Sequence, residues 1–274
     1  MNDPFVVDPP QLDLLLRQLR LPTMRALWRS FTERADREGW SSARLLAALA
    51  SQEVTDRERR RFERHRAEAK LPRGKTLDNF DFTLVPAVSK ARVGALASGD
   101  IWLDEGASVL LFGPPGTGKS HLAAGLGLRL VENGFRVLYQ RTASLVQKLQ
   151  AARRDLALDA AIAKLHKYHL LILDDFSYVT FDGAENSALF ELIGARYENR
   201  SLLVIANEPF SAWGKIFGSD AMAVAAVDRL VHRSHIFELN VESYRRRAAA
   251  AARRAVAGTR DAGKQPEAGP QPRP

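Results

Sequence analysis

Gly113-Pro114-Pro115-Gly116-Thr117-Gly118-Lys119-Ser120 is the stretch of this chain best equipped to do chemistry. Its spacing, G-x-x-x-x-G-K-[ST], is that of a loop that cradles phosphate groups. Glycines let backbone N–H groups turn inward and approach phosphate oxygens, an approach that a Cβ would obstruct. A helix beginning near Ser120 would aim the positive end of its dipole at the same charge. Lys119 then reaches the β and γ phosphates of ATP, and Ser120 is placed to ligate Mg²⁺. Residues Gly113 through His121 are therefore the expected nucleotide contacts. The context that gives the motif meaning is present: VLLF precedes it as a buried strand, and HLAAGLGLRLV follows as an apolar-striped helix.

Further along, LLILDD places Asp174 and Asp175 at the carboxyl end of a second apolar strand, the edge where parallel sheets bind ligands. Asp174 would hold Mg²⁺, directly or through water, and Asp175 would position and polarise the attacking water. Two adjacent carboxylates can instead cap a loop or the next helix. SLLVIA ends in Asn207, whose amide can hold the hydrolytic water or touch the γ-phosphate. Asparagine also favours turns, and Pro209 marks one. The six histidines show no metal-ligand spacing, and His232 and Ser234 have no identifiable Asp partner for a hydrolase triad.

These residues need elements to carry them. SVLLF, RVLYQ, HLLIL and SLLVIA alternate with helix-length amphipathic segments, which predicts an α/β fold with a parallel sheet flanked by helices. HIFELN (235–240) is a candidate fifth strand. Upstream, residues 11–50 read as amphipathic helices, QLDLLLRQLRL running into MRALWRSFTERA and, after a break at Gly39, SSARLLAALASQEV. Residues 52–70 read as a separate long charged helix, TLDNFDFTLVPAVSK (76–90) as a connector, and ARVGALASGDIW as one further helix. The expected division is a helical DNA- or partner-binding region over 1–70, a linker and first helix over 71–105, the nucleotide-binding core over 106–247, and a disordered basic tail over 248–274.

The 274 residues are 46% hydrophobic and 26% charged, which excludes a wholly disordered chain. No apolar run reaches 18 residues, no secretory signal opens the chain, and cysteine is absent, so a cytoplasmic protein with no membrane partner is expected. The missing cysteines also exclude thiol nucleophiles, Cys-ligated zinc and iron–sulfur clusters. Net charge is +8, concentrated in residues 52–75 and 241–274 around a nearly neutral middle. Two basic ends suggest contact with a polyanion. A solvated arginine-rich helix face and a basic tail would have the same composition.

GPPGTGKSHLA, LLILDDFSYV, ENRSLLVIANEPFSAWGKIFG and DRLVHRSHIFELNVESYRRR together resemble the IstB family of transposition helper ATPases, AAA+ proteins close to the DnaC-type helicase loaders. LPTMRALW and LPRGKTLDNFDF extend the resemblance upstream, so it covers roughly residues 15–247. The phosphate loop is generic to many NTPases, whereas ANEPFSAWGKIF and DRLVHRS are far more specific. The resemblance implies a P-loop AAA+ domain after a small all-helical N-terminal domain. It makes Asn207 the sensor-1 residue and Arg229 the arginine finger reaching a neighbouring subunit's ATP, with Arg233 as rival. Arg245 is a weaker candidate for a second sensor, and Phe80 to Phe82 either lie against adenine or belong to the core. Asp175 departs by one methylene from the Asp-Glu pair usual in AAA+ proteins, which implies slow turnover, although the resemblance to IstB-like sequences implies that an Asp-Asp pair is tolerated.

By the same resemblance the expected partners are double-stranded DNA read with little sequence preference, a transposase, and further copies of this chain. A DnaC-like replicative helicase loader is the nearest alternative. A P-loop small-molecule kinase and a DNA-binding module that uses ATP only as a structural ligand are the others.

Overall fold

The computed structural model describes residues 9–176, 183–217 and 219–243. The chain divides into two compact units, one ending at Ala67 and the other beginning at Glu68. Among the described residues no helix is long and apolar enough to cross a membrane.

Three helices build the first unit: α1 (Pro9–Gln18), α2 (Pro22–Glu38) and α3 (Ser42–Ala69), whose last residues belong to the second unit. Pro22 starts α2, and Gly39 ends it at φ 62°, in the left-handed region that suits glycine. Leu21, at the position before α2, offers no side-chain cap. Buried Glu53 of α3 supplies one, its Oε2 accepting from Thr23 N at 2.8 Å and Met24 N at 3.1 Å. Asp13 ties α1 to α2 by accepting from Trp28 Nε1 at 2.8 Å and from Arg29 at 2.9 Å.

Two helix expectations are corrected here. SSARLLAALASQEV and the charged run after it form the single helix α3, because no glycine or proline interrupts residues 42–69 and the Arg57–Glu53 pair spans the supposed break. ARVGALASGDIW instead splits into α4 (Lys90–Ser98) and α5 (Ile101–Asp104). Gly99, at φ 82°, turns the chain between them, and a Cβ there would overlap the Phe135 ring.

The second unit is built on a five-stranded parallel sheet of order β2-β3-β4-β1-β5. The strands are β1 (Ser108–Phe112), β2 (Val137–Arg141), β3 (Leu170–Asp174), β4 (Ser201–Ala206) and β5 (Ser234–Glu238). HIFELN therefore supplies most of the fifth strand. Helices α6 (Lys119–Glu132), α7 (Thr142–Arg154), α8 (Leu158–His166), α9 (Gly183–Arg196), α10 (Gly214–Phe217) and α11 (Asp220–Val231) connect them.

Strand alternation divides the core. Leu110, Leu138, Leu171, Leu173, Leu202 and Val204 join one buried cluster with Leu149, Ile162, Leu192, Trp213 and Leu230 from α7, α8, α9, the turn before α10, and α11. The opposite face carries α6, which packs on β2, β3 and β4. Close approach there depends on two glycines. A Cβ on Gly127 would stand 2.9 Å from Ile172 Cδ1 and 3.0 Å from Leu71 Cδ2; one on Gly125 would stand 2.8 Å from Leu77 N. The chain at 71–77 thus lies flat on α6 and delivers residues 79–85 to the head of the sheet.

Candidate nucleotide-binding site

β1 lies between β4 and β5, although β2 follows it in sequence, so the chain reverses direction across the sheet at β1. At such a switch point adjacent loops diverge and leave a crevice beyond the carboxyl ends of the strands. Register places Phe112 opposite Ala206 and Arg141 opposite Asp174. The loop after β1, the last residue of β3 and the first residues after β4 therefore converge.

A cavity of about 450 Å³ occupies this crevice. Its lining joins the loop residues Pro115 to His121 to Asp174, Asp175, Ile205 and Asn207 on one side, and to Lys75, Asn79, Phe80, Leu84 and Val85 on the other. A wider hollow of about 680 Å³ beside α10 and α11 lies away from all of these residues.

Loop geometry follows its glycines. Gly113, Gly116 and Gly118 take φ values of 141°, 85° and 100°, which an L side chain rarely adopts. Gly118 precedes the first turn of α6, so Lys119 and Ser120 open the helix with the N-terminal dipole facing the cavity. Buried Lys119 donates from Nζ to Gly113 O at 2.6 Å and to Pro114 O at 2.8 Å. Thr117 Oγ1 also donates to Pro114 O, at 3.0 Å. Gly113 and Pro114 thus hold the loop's own lysine with their carbonyls, behind the cavity wall.

Ser120 Oγ donates to Asp174 Oδ1 at 3.2 Å, which brings together the two expected metal ligands. A hydroxyl and a carboxylate are hard oxygen donors, and two protein ligands beside a phosphate loop match the sparse sites that Mg²⁺ favours, so the residues fit that ion. Asp175 takes φ 56° and its N–H donates to Asp174 Oδ1 at 2.9 Å. The turn sends the second carboxylate off the strand into the cavity, where Asn207 follows the end of β4.

Sequence reasoning missed Tyr139 and Thr142. The Tyr139 hydroxyl donates to Asp174 Oδ2, and Thr142 Oγ1 donates to the Asp174 main-chain oxygen at 2.9 Å. Burial, followed by the bond to Asp174, pushes the Tyr139 phenol well above its ordinary pKa, so it remains a donor. Only the strand order, which seats β2 beside β3, could have signalled it.

His121 and the FDF segment meet at the opposite wall. His121 Nε2 lies 3.0 Å from Thr76 O and 2.7 Å from Asn79 Oδ1, and the His121 ring meets Phe80 edge-on at 5.4 Å. Burial, with Lys75 nearby, holds the imidazole below its usual pKa. Phe80 is buried against Gly118, whose added Cβ would stand 3.1 Å from the ring, whereas Phe82 does not line the cavity.

Arg229 stands apart. Its guanidinium lies 4.5 Å from the centre of the Phe190 ring of α9, and it lines no part of the cavity. Arg233 is exposed just before β5. Arg245 and the tail from residue 248 lie outside the described residues.

The family model for "IstB-like ATP binding protein" matches residues 14–252. A Sinorhizobium fredii protein named as an insertion sequence ATP-binding protein is 61% identical over 248 residues, covering 90% of this chain and 83% of the relative. The ATP-binding protein of insertion sequence IS21 from Pseudomonas aeruginosa is 34% identical over 235 residues, 86% of this chain and 88% of its own length. Among solved structures, the DnaC helicase loader aligns with a TM-score of 0.51 at 18% identity, over 61% of this chain and 97% of the loader. AMPPCP-bound DnaA from Aquifex aeolicus aligns at 0.52 and 17% identity, over 62% of this chain and 51% of DnaA. These two likenesses concern fold alone: the parallel sheet and its flanking helices are arranged as in those proteins. Because the family match runs through the helical unit as well as the sheet, the chain belongs to the IstB-like ATP-binding proteins.

Proposed function

We propose that this ATP-binding protein is a Mg²⁺-dependent ATPase that assembles on double-stranded DNA with little regard to sequence and makes that DNA available to a partner transposase. ATP binding favours the assembled state, and hydrolysis resets it. The observation carrying this reading is the meeting of residues 115–121, Asp174, Asp175 and Asn207 around one cavity, in a chain whose relatives are named for insertion sequences.

In this reading the loop N–H groups and Lys119 bind the triphosphate, and Ser120 and Asp174 hold Mg²⁺. When bound, the ion would shield the negative charge that builds on the phosphates during transfer. Asp175 orients the attacking water, with Asn207 sensing the γ-phosphate beside it. Arg229 serves the pocket of a neighbouring subunit, which agrees with its absence from the lining of its own.

For DNA contact the reading relies on α3, where Arg57, Arg59, Arg60, Arg61, Arg64 and Arg66 are all exposed. The first three have carboxylate partners on the same helix, while Arg61, Arg64 and Arg66 form no ion pair with the described residues. Such unneutralised arginines suit phosphate contacts that release counterions. The test measures phosphate release with and without duplexes of unrelated sequence, then capture of an insertion-sequence transposase. DNA-stimulated hydrolysis and ATP-dependent capture are expected. Capture of a replicative helicase in place of the transposase would refute the transposition reading, and hydrolysis indifferent to DNA would refute the coupling.

A further inference from the structure

Tyr139 sits on β2 directly opposite Ile172 of β3, and Asp174 lies two residues beyond Ile172. With a side-chain period of two, Tyr139 and Asp174 are diagonal neighbours on the sheet face that carries α6. Tyr139 is 9% exposed and donates its hydroxyl to Asp174 Oδ2. The other oxygen, Oδ1, accepts from Ser120 Oγ at 3.2 Å and Asp175 N at 2.9 Å. Both carboxylate oxygens are thus assigned, and turning the side chain would break three hydrogen bonds together.

We propose that Tyr139 is a positioning residue for the metal-holding carboxylate: its hydroxyl pins Asp174 through Oδ2 and so keeps Oδ1 beside Ser120. The inference rests on the reading of Ser120 and Asp174 as the Mg²⁺ site. A phenol suits the task because it orients a carboxylate without cancelling its charge. A lysine or arginine in the same place would compete with the cation for Asp174. Groups that orient metal ligands in this way typically contribute about 10- to 100-fold in metal affinity or activity.

Tyr139→Phe tests this in the full-length chain, since it keeps the buried ring and deletes only the hydroxyl. The binding of a fluorescent ATP analogue is measured in EDTA and then across a Mg²⁺ titration, with melting temperature recorded for each variant. Y139F should match the parent in EDTA to within about twofold and need about tenfold more Mg²⁺, or higher, for half-maximal enhancement. D174N should blunt the Mg²⁺ response, and Y139F added to D174N should change it no further, because the tyrosine works through that carboxylate. An unchanged Mg²⁺ midpoint in Y139F overturns the inference. So does an equal loss of affinity with and without metal, which marks a general packing role, or full additivity of the two substitutions. A parent protein that binds nucleotide no better with Mg²⁺ than in EDTA overturns the metal-site reading itself, and the inference with it.

Discussion

Gly113→Ala should damage both the fold and the nucleotide site, because two independent constraints meet at that residue. Its φ of 141° is one that alanine adopts only under strain, which costs about 1–3 kcal/mol. A Cβ there would also stand 2.5 Å from Leu239 O and 3.0 Å from Leu239 C. That carbonyl has little room to retreat: Leu239 is fully buried, and its N–H donates to Phe112 O at 2.8 Å. Forcing a methyl into such a contact costs roughly another 1–3 kcal/mol. The sum of about 2–6 kcal/mol corresponds to a melting temperature lowered by roughly 4–24 °C for a chain of this size. Thermal unfolding followed by circular dichroism, alongside ATP-analogue binding, reads both effects. Gly116→Ala separates them, since its Cβ would meet the Ser243 side chain instead of backbone. Adding Ser243→Gly should recover much of that loss, with the cost of φ 85° remaining. A Gly113→Ala protein that melts within about 1 °C of its parent and binds nucleotide normally would refute the packing of Leu239 on the loop.

Lys119→Ala should weaken ATP binding at least tenfold in an equilibrium titration, since a charge-assisted contact contributes about 1.5–3 kcal/mol. Arg196→Leu should cost about 3 kcal/mol or more in urea unfolding, because fully buried Arg196 donates to the carbonyls of Leu165, Tyr168, His169 and Ser201 and each orphaned acceptor costs about 1–3 kcal/mol; a loss below about 1 kcal/mol would contradict that role. Asp175→Asn should keep Mg²⁺-dependent nucleotide binding yet prolong DNA complexes in ATP, and an unchanged hydrolysis rate would move the water-orienting role elsewhere. Arg229→Ala should bind ATP but hydrolyse it poorly in the assembly, and mixing it with Lys119→Ala should restore part of the activity. Failure of the mixture to recover, with both variants still assembling, would sink action between subunits.

The phosphate loop was legible because its geometry is encoded locally. Glycines at 113, 116 and 118 announce backbone angles that few other residues tolerate, and the apolar runs on either side announce the strand and helix that hold them. Asp174 was legible for a similar reason, as the first charge after an unbroken apolar strand. Tyr139 was not, since its role depends on β2 pairing with β3, a pairing separated by two helices of intervening chain. The place of Asn79 depends on Gly125 and Gly127, whose missing side chains read as weak helix formers until Thr76 and Leu77 are seen lying on the first and Leu71 on the second. Glu53 caps a helix that begins some thirty residues earlier, so no local signature could reveal it. β5 was uncertain because it is an edge strand with His235 and Ile236 partly exposed, which weakens the alternation that marks a buried strand.

The state of Lys119 bears on how losses at this site should be interpreted. Its ammonium is not waiting in water for a phosphate: it is buried and satisfied by Gly113 O and Pro114 O, two acceptors of its own loop. Nucleotide binding therefore exchanges or shares hydrogen bonds that already exist, and the lysine's net contribution is a difference between two well-solvated states. The glycine-shaped loop backbone and the α6 terminus beside the cavity supply affinity that Lys119→Ala leaves intact. A steep loss in Gly113→Ala beside a smaller one in Lys119→Ala would follow from that division. The backbone cradle, held in shape by glycine conformation and by Leu239 pressed behind it, is then the larger part of the site's affinity, with the lysine adding to it.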